Sequence, residues 1–205
     1  MIITWYQLLL GLALGLVAPQ LLLQADCRYL SFEDLWTRVV RREPTMTRRK
    51  IRWWRTPLVW IDPLRGYLVA SLVADGLQLV PEATAEQKLG ELSLTTLIYV
   101  AAVWVQSAVR VKDRETLSPV LFLAGMFVAL FPWTVWGPAL LLGAASAVAM
   151  NGFVAGYFVT ALATLGAGYL FTGNLPALAT ALAMLSVPVM LNWMRSTRLV
   201  MPIRY

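Results

Sequence analysis

The chain has 205 residues, 59% of them apolar and only 14% charged, with 17 Lys and Arg against 11 Asp and Glu for a net charge of +6. A soluble domain runs nearer half apolar and a quarter charged, and here no Asp, Glu, Lys or Arg occurs between Leu117 and Met194. A charge-free stretch of that length cannot form a surface in water, so a soluble globule is excluded and an all-α, polytopic integral membrane helix bundle is expected.

The first predicted span covers residues 2–25. It holds Gly11-x-x-x-Gly15, a spacing of small residues that lets a second helix approach closely. The sole cysteine, Cys27, follows it, so a disulfide framework within the chain is excluded. Asp26 stands where a lipoprotein cleavage site needs a small residue, and no basic residue precedes the apolar run. The expectation is an inert thiol near the membrane surface rather than lipid attachment.

Residues 26–56 read as a polar elbow within a single transmembrane domain spanning 1–205. In its first part Phe32, Leu35, Trp36, Val39 and Val40 make one apolar helical stripe. Ser31 is placed as the cap, Glu33 and Asp34 suit the positive end of the helix dipole, and Arg41 and Arg42 suit the negative end. Pro44 should stop the helix at Glu43. Arg48, Arg49, Lys50, Arg52, Trp53, Trp54 and Arg55 follow, a basic cluster with aromatic anchors. Such a segment lies along a membrane surface and engages anionic lipid headgroups or a partner subunit.

The Asp62-Pro63 pair predicts a helix start, with the second span running to Val80 before Pro81. Asp62 and Arg65, three apart, can pair on that first turn, where water and headgroups reach. Asp75 falls inside the span, near its outer boundary, and is the candidate transport residue together with Gln106. The acidic loop 81–91 leads to a third span over 92–109, whose cytoplasmic end carries Gln106 and Arg110 on one face. The basic loop 110–116 precedes a fourth span over 117–131. FPWTVWGP reads as an interfacial turn with Trp133 and Trp136 at headgroup level.

The apolar run 138–172 would reach about 52 Å as one helix, far beyond a hydrocarbon core. Asn151-Gly152 is the predicted break, giving a fifth span over 135–150 and a sixth over 153–171. A second small-residue pair, Gly152 and Gly156, lies just after it. TGNLP turns into a seventh span over 175–194, and a basic tail follows.

Nine of the 17 basic residues lie in 28–55, three in 110–114 and three after Trp193. A bilayer bands positive charge in this way, because Lys- and Arg-rich loops stay in the cytoplasm. The basic balance therefore reports topology, and nucleic acid is not an expected partner. Keeping elbow, 110–116 loop and tail on one side favours seven spans, with five as the fallback if 138–172 folds differently. The N-terminus is then outside and the C-terminus cytoplasmic, in a bacterial cytoplasmic membrane.

Histidine is absent, and no GxSxG, HExxH, P-loop or dinucleotide signature occurs. No catalytic residue, cofactor or metal site is expected. The sequence points first to a non-catalytic membrane subunit or scaffold in an oligomer or larger complex. A small-solute or ion transporter or channel using Asp75 is the alternative. An enzyme acting on lipid comes third and would need Asp62, Arg65 and the elbow arginines gathered around one headgroup.

Overall fold

A computed structural model describes residues 2–19, 28–30, 57–78, 84–112 and 115–203. The expected amphipathic helix and the whole basic cluster of the elbow lie outside the described residues. Within them, seven helices follow one another: α1 (Trp5–Leu16), α2 (Pro57–Gly76), α3 (Ala85–Ser107), α4 (Val120–Leu130), α5 (Trp133–Ala149), α6 (Phe153–Phe171) and α7 (Leu175–Arg195). The last three match the predicted spans to within two residues. Asn151 breaks the apolar run as expected, in the left-handed conformation at φ 53° that asparagine tolerates.

Three helices, α3, α6 and α7, are long and apolar enough to cross a membrane. The apolar helices α1, α4 and α5 are shorter. At 12 and 11 residues, α1 and α4 rise only about 18 and 16 Å. The first helix stops well before the predicted residue 25, with Val17 already extended. Pro19 explains the stop, since proline both disfavours the helical conformation in the residue before it and offers no N–H.

Two predicted starts move upstream. Helix α2 begins at Pro57, so Asp62 and Pro63 sit inside it rather than opening it. Thr56-Pro57 carries the same proline-at-first-turn signal six residues earlier. Helix α3 begins at Ala85, inside the supposed acidic loop. Thr84 Oγ1 accepts from Gln87 N at 3.3 Å while Gln87 Oε1 accepts from Thr84 N at 3.1 Å, a reciprocal cap.

The strands were not anticipated. Short β1 (Ile2–Ile3) pairs antiparallel with β3 (Leu77–Gln78), and this pairing ends α2 at Gly76 instead of residue 80. A second sheet has the order β2-β6-β5-β4, formed by β2 (Arg28–Leu30), β4 (Arg110–Lys112), β5 (Glu115–Leu117) and β6 (Arg198–Ile203). Its central strand β6 runs antiparallel to β2 and parallel to β5. The start of the elbow, the basic 110–116 loop and the tail are thereby gathered at one end of the helices.

The two sheets define a ribbon end and a sheet end. Gln106, near the end of α3, reaches the end of α1 at the sheet end. Ser118, just before α4, bonds Tyr157, one turn into α6, at 2.8 Å. At the ribbon end, Ala74 of α2, Ala85 of α3, Leu130 of α4 and Ala177 of α7 surround one cleft. Successive helices therefore run in alternating directions.

The core between them holds Leu8, Val69, Val73, Tyr99, Val103, Phe122, Met126, Phe127 and Met184. Helices α2 and α4 meet backbone to backbone. A Cβ on Gly66 would strike the Phe122 carbonyl, and one on Gly125 would strike the Pro63 carbonyl.

Candidate functional site

The most polar buried cluster lies where α1 ends. A helix terminus leaves its last carbonyls without donors, which is costly away from water. Two side chains from other helices supply them. Arg65 Nη2 donates to Leu14 O at 3.0 Å and to Val17 O at 2.6 Å. Gln106 Nε2 donates to Gly15 O at 2.8 Å and Val17 O at 2.9 Å. Arg65 Nη1 also donates to Asp62 Oδ1 at 2.9 Å, and its guanidinium lies 5.7 Å from the centre of the Phe122 ring. A cation at the negative end of a helix dipole is favourable, and an adjacent carboxylate neutralises it.

The i,i+3 pair forms as its spacing predicts, but not at the surface. Asp62 and Arg65 are each only 6% exposed, because α1 packs over them and its open carbonyls claim the arginine. Their described partners are one another, the α1 backbone and Phe122, an arrangement that holds helices together.

Gln106 is 1% exposed and faces the same carbonyls. It does not share a helical face with Arg110, because α3 ends at Ser107 and Arg110 opens β4. Asp75 is exposed and lies next to the last residue of α2. The early end of that helix moves it from inside the predicted span to its rim.

The small residues singled out in the sequence are used within the chain. Gly11 packs on Leu72 and Val73 of α2, and Gly15 on Ala102 of α3 and Val69 of α2. Gly156 meets Ala147 and the Gly143 carbonyl of α5. Gly152 does no such packing; it precedes α6 as its cap residue, and a Cβ there would have only Met150 O near it, at 3.9 Å.

Arg41, Arg42, Arg48, Arg49, Lys50, Arg52, Trp53, Trp54 and Arg55 lie outside the described residues. What is described around their elbow is its first strand, β2, held at the sheet end by β6. On the same end, Arg195 Nη1 donates to Ala108 O at 3.0 Å and so fastens α7 to the end of α3.

Sequence reasoning did not find the cleft at the ribbon end. It has a volume of about 690 Å³ and is walled by α3 and α7 on one side and by the ends of α2 and α4 on the other. Lys88, Glu91 and Thr95 line it from α3, and Asn174 and Thr180 from the start of α7. Thr180 bonds Thr96 at 2.8 Å and ties these two helices together. The signal was the run Lys88, Leu92, Thr95 and Tyr99, one helical face mixing charge, hydroxyl and apolar groups. Among the described residues no group of three or more Asp, Glu or Cys is placed to hold a metal ion.

No known protein family, no curated protein and no solved structure matches this chain.

Proposed function

We propose that this chain is a non-catalytic multi-pass subunit or scaffold of a larger membrane complex, held at the cytoplasmic surface by its basic elbow. In this reading the seven alternating helices form the membrane-embedded body, and the sheet end faces the cytoplasm of a bacterial inner membrane. One observation supports it: β6 stands between β2 and β5, so the first strand of the elbow, the strands flanking the basic loop and the tail strand meet at one end of the helices. Lys and Arg concentrated at one membrane face gain on the order of 1 kcal/mol each beside anionic lipid.

The oligomer needs a basis other than the glycine pairs. Gly11, Gly15 and Gly156 are covered by helices of the same chain, so these faces are not free for a second copy. This reading assigns the partner surface to the elbow and the sheet end. Substituting Arg48, Arg49, Lys50 and Arg52 together with Gln tests this directly. The expected result is normal insertion with loss of a co-purifying subunit or of binding to anionic vesicles. Unchanged association in that variant, or purification of the wild type as a solitary monomer indifferent to anionic lipid, overturns the reading.

A further inference from the structure

We infer that the cleft at the ribbon end seats one zwitterionic phospholipid with a phosphoethanolamine headgroup. The inference rests on the chain being membrane-embedded and is independent of the elbow. The cleft's volume of about 690 Å³ falls in the range of about 300–1,000 Å³ typical of small-molecule sites. Its walls divide by chemistry. Leu92, Leu130 and Ala177 are apolar, while Lys88 and Glu91 stand one helical turn apart on α3 at the rim. No ion pair joins Lys88 to Glu91 among the described residues. Two opposite charges set side by side without closing on each other complement a ligand that carries both signs.

The start of α7 sharpens the assignment. Asn174 Oδ1 accepts from Ala177 N at 3.2 Å, which leaves the Asn174 amide N–H groups as donors beside the positive end of a helix dipole. A phosphate fits between this terminus and Lys88, with the ammonium on Glu91. One of the lipid's two acyl chains follows Leu92, Leu130 and Ala177. Leu89 borders the same cleft and is 65% exposed, an apolar surface that calls for a hydrocarbon cover. The headgroup sits at the ends of four helices, the level at which bilayer headgroups lie.

Native mass spectrometry after equilibration with equal amounts of phosphatidylethanolamine and phosphatidylglycerol tests the seat. One phosphatidylethanolamine should be retained per chain, with a preference of about tenfold or more. Lys88→Gln should weaken retention of both lipids, and Glu91→Gln should erase the preference, with thermal unfolding of both variants in detergent matching the wild type. Ala177→Trp should obstruct the wall of the cleft at α7 and weaken retention of the lipid. Equal retention of the two lipids by the wild type, or an unchanged preference in Glu91→Gln, overturns the proposal. So does displacement by soluble phosphoethanolamine as effectively as by the lipid, which assigns the cleft to a free metabolite. The fourfold Gln variant of the elbow should retain the lipid as the wild type does, so this inference and the elbow's role fail separately.

Discussion

Helices α1, α2 and α3 are joined by a charged knot, whereas α5 and α6 are joined without a single charge. In the first region Arg65 and Gln106 donate to the carbonyls at the end of α1, and Asp62 accepts from Arg65. In the second, Gly143 and Gly156 allow close approach, and Thr160 folds its hydroxyl back to Gly156 O at 2.8 Å. Both solutions answer the same condition: where lipid tails are as apolar as leucine, burying apolar surface gives helices little reason to associate. The knot specifies which groups meet, and removing one member strands another. The small-residue seam depends on shape alone, and any added volume opens it.

The largest loss is expected where backbone meets backbone. Gly125→Leu sets a side chain against the Pro63 carbonyl, which has no rotamer to escape by. It should lower stability by more than the roughly 1–3 kcal/mol of ordinary overpacking, read as loss of the folded band in SDS titration. Next comes Arg65→Met, which leaves the Asp62 carboxylate buried without its cation and strips donors from Leu14 O and Val17 O. A cost of about 3–5 kcal/mol is expected, and Asp62→Leu added to it should recover part of the loss. If the double variant is no better than the single, the knot is not an ion pair in energetic terms.

Gly143→Ala probes the charge-free seam, because a Cβ there collides with Thr160 Oγ1. The hydroxyl can rotate away, so a loss of about 1–3 kcal/mol is expected, and Thr160→Ala in the same chain should relieve it. Gln106→Leu removes the donor to Gly15 O while Arg65 still serves Val17 O, a loss of about 1–2 kcal/mol in thermal unfolding in detergent. The smallest effect belongs to Asp75→Asn, at an exposed position on the rim of α2. It should leave unfolding unchanged and alter no solute flux into liposomes; a flux lost in that variant would revive the transporter reading.

The C-terminal half was legible because bilayer physics left few options. A run of 35 apolar residues must break, and Asn151-Gly152 and Gly173-Asn174 were the available turns. The N-terminal half was harder. Asp62-Pro63 imitates a helix start so well that the equivalent Thr56-Pro57 was passed over, and Thr84-x-x-Gln87 went unread inside an acidic stretch. The knot was half visible. The spacing of Asp62 and Arg65 gave the pair, but its burial depends on where α1 ends, and no local pattern links Val17 to Arg65 across 48 positions. The strands escaped for the same reason. Segments of two to six residues carry no periodicity, and their partners lie far away in the chain.

The position of β6 has a consequence for biosynthesis. Its residue Ile203 pairs with Arg28, so the ribosome must add α2 through α7 before the elbow's first strand meets this neighbour. Until then β2 and β5 lack the strand that stands between them. Closure of the sheet is a post-insertion event, and a chaperone or protease at that membrane face would encounter the open form first.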